Sequence, residues 1–382
     1  MDRMKKLYTC CVFGAIFLLA CVHSATGTLL TPIIQHYSLD SAAKGLPSGI
    51  VSGFAIAAFV ISMLLSGRVR KTATFRFALL LGGIALCCIL IDLPFWGFLC
   101  LMALVGLSTG LIDAMNSPII TELYPGSKSL MCALHGTYGV AGLIMPFIFK
   151  PLMTKWQLAF MLIGVIMLAL LAVSLFVKRD MVETPPCQAD CISAGMLREM
   201  LSVKELIPMY LSMLFGGMFI NGMLMFASRF IEFGKGSAEL SLIVVSVVYL
   251  AIAVSRLGMS FLNLDTYIYL KCALPIGVIA LTAAVFISSP FAVLVLVFIS
   301  TACYGPAIPC TLTLAAARLP RRSFMVTVSM MFVMMLGQTV YSPLYGAVET
   351  RIGSNYAMLV GAGMLLLAWL GVMFIKRNAD KA

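Results

Sequence analysis

The stretch Gln157-Leu158-Ala159-Phe160-Met161-Leu162-Ile163-Gly164-Val165-Ile166-Met167-Leu168-Ala169-Leu170-Leu171-Ala172-Val173-Ser174-Leu175-Phe176-Val177 carries no charge and is flanked by Lys155 and Lys178. At 1.5 Å of rise per residue, a helix of this length covers about 30 Å, the thickness of a bilayer's hydrocarbon core. The rest of the chain resembles it. Of 382 residues, 11% are charged and 62% are hydrophobic. Soluble globular proteins carry about 25% charged residues, and so few cannot cover this much apolar surface in water. The same figures exclude disorder, which needs a polar chain poor in aromatics. Outer-membrane barrels would show alternating segments of about ten residues, and none is visible here. An all-α membrane protein remains.

Apolar runs fall near 7–30, 46–66, 77–92, 96–120, 131–154 and 157–177, and resume near 206–230, 240–261, 267–288, 290–314, 325–346 and 356–375. The reading predicts twelve transmembrane helices as two pseudo-symmetric six-helix bundles. Residues 1–177 form the first bundle, 178–205 a cytoplasmic central loop and 206–382 the second. The central loop contains Glu183-Thr184-Pro185-Pro186, and Met196 to Glu205 reads as an amphipathic surface helix.

Charge fixes the expected orientation. With the amino terminus inside, 20 of the 26 basic residues fall on the cytoplasmic side, among them Arg68, Arg70, Arg76, Lys128, Arg256 and Arg318. Lys44, Lys150, Lys155, Arg229, Lys235 and Arg351 fall outside. The positive-inside rule then places both termini in the cytoplasm. The net charge of +11 faces anionic lipid, so no nucleic acid is expected as a partner. Lys5 and Lys6, an apolar run and Leu18-Leu19-Ala20-Cys21 resemble a lipoprotein signal, but apolar character continues through Leu29, Leu30 and Ile34, so a retained first span is expected. The sequence has no Asn-x-Ser/Thr site and its loops are short, which fits a bacterial inner membrane. Twelve Cys lie mostly in apolar runs; Cys187 and Cys191 share a loop, with no second pair at metal-ligand spacing. No metal and no cofactor are expected, and a monomer is.

The halves carry a trace of duplication. Ala78-Leu79-Leu80-Leu81-Gly82-Gly83-Ile84-Ala85-Leu86 parallels Ala273-Leu274-Pro275-Ile276-Gly277-Val278-Ile279-Ala280-Leu281, with six of nine residues identical. Each block lies in the third span of its half, where tandem six-helix repeats require it.

Gly67-Arg68-Val69-Arg70-Lys71-Thr72, between spans two and three, resembles the Gly-rich basic motif of the major facilitator superfamily, without that motif's acidic residue. Gly110-Leu111-Ile112-Asp113-Ala114-Met115-Asn116-Ser117-Pro118 with Leu134-His135-Gly136-Thr137-Tyr138-Gly139 is similar to the fucose-permease-like branch of proton-coupled sugar transporters. The segment from Tyr304 to Gly346, with Pro306, Pro309, Gly337 and Pro343, has a similar texture. The resemblance implies the major facilitator fold, with a carboxylate and an Asn on span four facing polar residues on span five. His23-Ser24-Ala25-Thr26-Gly27 stands where the branch has a span-one carboxylate, and Met218 where relatives show Gln or Glu.

Intramembrane ionisable groups cost about 2.5–3.5 kcal/mol on insertion scales, so each requires a reason. Asp113 and His135 are the candidate proton-coupling residues. Asn116, one turn from Asp113, shares its face. Asn116, Tyr138, His23, Asn221, Tyr304, Gln338 and Tyr341 are candidates to contact substrate. Arg68, Arg70 and Arg256 are candidate gating residues, Arg256 through helix ends; Arg229 is expected to pair with Glu232. Met213, Met218, Met223 and Met225 offer an adaptable apolar wall. Neither a Walker loop nor a nucleophilic triad is present, and no enzyme is expected. The function expected is secondary transport of a small neutral or weakly basic, sugar-like solute with proton symport. The alternatives are a proton-coupled exporter of drugs or amphipathic molecules and a transporter-like receptor or assembly subunit.

Overall fold

The computed structural model describes residues 2–39, 45–178, 180, 191–262 and 264–375. Lys44, Arg179, Glu183 to Pro186, Cys187, Lys376, Arg377 and Lys381 lie outside the described residues. Every described element is helical. In order these are α1 Asp2–Thr28, α2 Leu30–His36, α3 Leu46–Leu65, α4 Lys71–Cys88, α5 Phe95–Leu123, α6 Lys128–Phe149, α7 Trp156–Leu175 and α8 Ala194–Ser202. There follow α9 Leu206–Arg229, α10 Ala238–Ser241, α11 Val244–Phe261, α12 Thr266–Phe286, α13 Pro290–Tyr304, α14 Ala307–Arg318 and α15 Ser323–Met373.

Among the described residues, ten helical stretches are long and apolar enough to cross a membrane. Two exceed any single crossing. Lys128–Leu175 holds α6 and α7, separated by a tight turn at Lys150–Lys155. Pro320–Met373, 54 residues, would reach about 80 Å if straight. It breaks at Gly353, whose φ of 79° and ψ of 162° belong to glycine alone.

The chain divides into two compact units, one of residues 1–125 and 137–193, the other of 126–136 and 194–382. Within the first, helices meet backbone to backbone at glycines. A Cβ on Gly106 would strike the Val51 backbone, one on Gly110 the Ala55 backbone, and Gly83 and Gly164 face each other across α4 and α7. In a bilayer, where lipid is as apolar as leucine, this close approach replaces the hydrophobic effect as the source of association. The second unit repeats the device reciprocally: Gly217 abuts the Met334 carbonyl and Gly337 the Leu214 carbonyl, locking α9 to α15.

The duplicated blocks do the same work in both units. Gly82 of α4 packs on Ser108 of α5 and Met167 of α7; its counterpart Gly277 of α12 packs on Ser300 and Cys303 of α13 and Leu365 of α15.

Charged and polar groups close the helix ends. The buried Arg76 donates to the carbonyls of Ser174 at 2.5 Å and Val177 at 2.7 Å, satisfying the end of α7. Asp265 caps α12 by accepting from the amides of Tyr267 and Ile268. The helix read over Met196–Glu205 forms over Ala194–Ser202, with Met196 and Met200 buried and Arg198 and Glu199 exposed. Arg229 corrects an expectation. It pairs with Glu349 at 3.0 Å, not with Glu232, because Phe230–Gly234 widens into a π turn that breaks the i, i+3 spacing.

Candidate functional site

In the first unit, α5 carries the polar face read from the sequence. Pro118 has no N–H, so the carbonyl of Ala114 loses its intrahelical donor one turn before it. Asp113, half-buried, and Asn116, fully buried, flank that position. Neither side-chain atom of Asn116 has a hydrogen-bond partner. Leaving a buried polar group unmet costs about 1–3 kcal/mol, so this amide is held at a price that packing alone does not explain.

His23 of α1 meets Tyr138 of α6 in the same unit. Nδ1 and the hydroxyl lie 3.0 Å apart and the rings meet edge to face at 6.0 Å. Each ring fixes the other, and both remain half-buried. Of the basic residues named for gating, Arg70 pairs with Asp180 at 2.6 Å and Arg68 is exposed. Lys71 joins Glu122, tying α4 to the end of α5.

In the second unit, the chain breaks between α13 and α14 at Gly305-Pro306. Pro309 cannot donate to the carbonyl of Gly305, and Arg256 takes that carbonyl instead, Nε to oxygen at 2.8 Å. A second arm of the same guanidinium donates to the carbonyl of His135 at 3.1 Å. Arg256 is buried, and charge-assisted bonds of this kind are about twice as strong as neutral ones. Lys128 donates to the Leu264 carbonyl and Ser129 to that of Ser260, so residues 126–136 are fastened along α11 at several levels. Cys132 of α6 and Cys310 of α14 are also fully buried in this unit. His135 thus falls in the unit of Arg256, and Asp113 in the other.

Tyr304 ends α13, with its ring edge-on to Phe219 at 5.1 Å and its hydroxyl against Gly216. Asn221 of α9 donates to the Gln338 carbonyl at 2.9 Å and to the Ser342 hydroxyl at 3.1 Å. The Tyr341 hydroxyl lies between Gly222 and Gly361, buried and without a partner. Met218 packs into the cluster of Tyr341 and Tyr345. Sequence reading missed Tyr345, which stacks on Phe226 at 4.1 Å, although it stands one helical turn from Tyr341 on the same face. It also missed Glu349 and Ser342, whose α9 partners Arg229 and Asn221 are more than 100 residues away. Among the described residues no group of His, Cys, Asp and Glu is placed to hold a metal ion.

No curated protein matches the sequence. Solved structures do. The E. coli fucose:proton symporter is similar with a TM-score of 0.77 at 14% identity, over 98% of this chain and 100% of its own. The human organic anion transporter MFSD10 matches with 0.78 at 13%, over 96% and 99%. The proton:xylose symporter bound to 6-bromo-6-deoxy-D-glucose matches with 0.74 at 14%, over 98% and 96%. At such identities these likenesses establish the fold. The family profile of the Major Facilitator Superfamily matches residues 12–332. The chain is therefore an integral membrane protein that belongs to the Major Facilitator Superfamily, a family of transporters.

Proposed function

We propose that the protein is a proton symporter for a small, neutral or weakly basic, sugar-like solute, working by alternating access. The observation that carries this reading is Asn116: a buried amide with two unmet hydrogen-bonding atoms, one turn from a membrane-embedded carboxylate. A hydroxylated solute supplies what that amide lacks, and Asp113 supplies a site for the proton. The fucose and xylose symporters of the same fold support a sugar and a proton as the pair. The organic anion transporter shares the fold too, but an anion desolvated beside Asp113 would meet a like charge. His23, Tyr138, Asn221, Tyr304, Gln338 and Tyr341 are assigned to solute contact, and His135 to relaying the proton.

Gating is assigned to Arg256, assisted by Arg68 and Arg70. Opening there must release residues 126–136 from α11, which means breaking the guanidinium's bond to the His135 carbonyl and those that Lys128 and Ser129 donate. The break at Gly353 and the turn at 150–155 support twelve crossings; the charge distribution supports both termini in the cytoplasm, and the short loops a bacterial inner membrane. The chain is taken to act as a monomer. Buried methionines on α9 and α15 (Met213, Met218, Met223, Met331 and Met334) favour proton-coupled export of an amphipathic molecule as the second reading.

Proteoliposomes with an imposed pH gradient test the proposal. Neutral hexoses, pentoses and amphipathic amines are offered in turn, with internal pH recorded. Solute-dependent proton entry with a neutral sugar is expected. Proton flux with amphipathic cations alone, opposite in direction to the solute, would select export.

A further inference from the structure

At one end of the second unit, α9 and α12 finish and α15 breaks at Gly353, and a cavity of about 360 Å³ opens between them. Gly234, Lys235, Ile287, Ser288, Asn355 and Tyr356 line it. None of these belongs to the site assigned to transport. The Lys235 ammonium donates to the carbonyls of Val285 at 2.7 Å and Ile287 at 2.8 Å, which are the closing carbonyls of α12. An ammonium has three N–H donors, so one is left to point elsewhere. The Phe230 ring lies beneath it at 5.3 Å. The amide nitrogen of Asn355 donates to the same Val285 carbonyl at 3.2 Å, while its Oδ1 is buried with no partner. The cavity therefore presents one cationic donor and one unmet acceptor. Its rim is apolar and exposed: Phe286 is 67% exposed, Tyr356 49% and Ile287 37%. Two apolar spans end at Gly234 and Phe286, which sets this rim at the membrane boundary, where aromatic side chains accumulate.

We propose that this cavity binds a phosphodiester that also carries an N–H or O–H donor, the chemistry of an ethanolamine or glycerol phospholipid headgroup. The phosphate takes the remaining Lys235 donor as a charge-assisted bond, and the ammonium or hydroxyl donates to Asn355 Oδ1. Phe286 and Tyr356 lie against the glycerol and upper acyl chains. Burial pushes the Lys235 ammonium below its ordinary value, with no carboxylate raising it back, which suits a group waiting for an anion. A choline headgroup satisfies only half of this site, because its quaternary nitrogen has no proton to give.

The full-length protein, stripped of lipid in detergent, is titrated with phosphatidylethanolamine, phosphatidylglycerol and phosphatidylcholine of matched acyl chains. Bound lipid is counted by native mass spectrometry. The ethanolamine and glycerol lipids are expected to bind at least tenfold more tightly than the choline lipid. Lys235→Gln should weaken both, and Asn355→Ala should erase the preference over choline. The wild-type comparison stands even if a variant fails to fold. Soluble glycerophosphoethanolamine separates the sources of the headgroup. Displacement at a concentration comparable to the lipid's supports the same chemistry with a soluble molecule as occupant; no displacement supports the lipid. Equal binding of all three lipids, or wild-type preference retained in a folded Lys235→Gln, would overturn the proposal.

Discussion

Asn116 and Arg256 are both buried polar residues, and they sit at opposite ends of the hydrogen-bonding scale. The Asn116 amide has no partner; the Arg256 guanidinium holds two carbonyls, that of Gly305, which Pro309 leaves without a helical donor, and that of His135. Removing an orphaned polar group should stabilise, whereas removing its partner in function should cost affinity. Asn116→Leu, nearly the same volume, is therefore expected to raise the melting temperature of the purified protein while weakening solute binding about 5–30-fold, the weight of roughly 1–2 kcal/mol. A fall in both would mark Asn116 as a packing residue. Arg256→Ala should free residues 126–136, so that the buried thiols of Cys132 and Cys310 react faster with N-ethylmaleimide, as read by peptide mass mapping. Unchanged labelling would deny the latch. The sequence could show that Asp113 and Asn116 share a face, because spacing alone decides that. It could not show that Arg229 prefers Glu349 to Glu232, since the π turn that removes Glu232 is set by packing and not by residue type. Tyr345 stands four residues after Tyr341, so helical spacing alone puts the two rings on one face.

At the scale of the helix, glycines divide into those that permit contact, those that permit a positive φ and those that do neither. A Cβ at Gly337 would meet the Leu214 carbonyl, a backbone atom that cannot move aside. Gly337→Ala is expected to cost about 1–3 kcal/mol by forcing α9 from α15. Gly346, in the same helix with nothing within 4 Å, should gain up to about 1 kcal/mol as alanine. Gly353→Ala should destabilise by about 1–3 kcal/mol through backbone strain alone, since its side lies open. Thermal unfolding of the three variants in one detergent checks the order: Gly346→Ala above wild type, the other two below. The apolar gap between 346 and 356 marked where this helix breaks, because a bilayer limits how long an uninterrupted apolar run can be. The division of the chain at 126–136 left no mark in composition: this segment is held by Arg256 reaching the His135 carbonyl and by Lys128 and Ser129 reaching the carbonyls of Leu264 and Ser260, which hydropathy does not register.

For the whole molecule, the membrane class followed from charge content, summed over hundreds of residues, while the family entered as a resemblance carried by the motifs at 67–72, 110–118 and 134–139. The coupling chemistry rests on very few. Asp113 is the point at which the account is most exposed, since a symporter must carry its proton on a group that changes charge during the cycle. Asp113→Asn preserves shape and hydrogen-bonding capacity while removing the titratable proton. In proteoliposomes, the variant is expected to lose accumulation of solute against a gradient driven by pH, while solute exchange without a gradient persists at a substantial fraction of wild type. Accumulation by Asp113→Asn with the wild-type extent and pH dependence would contradict the assignment of this carboxylate as the proton carrier.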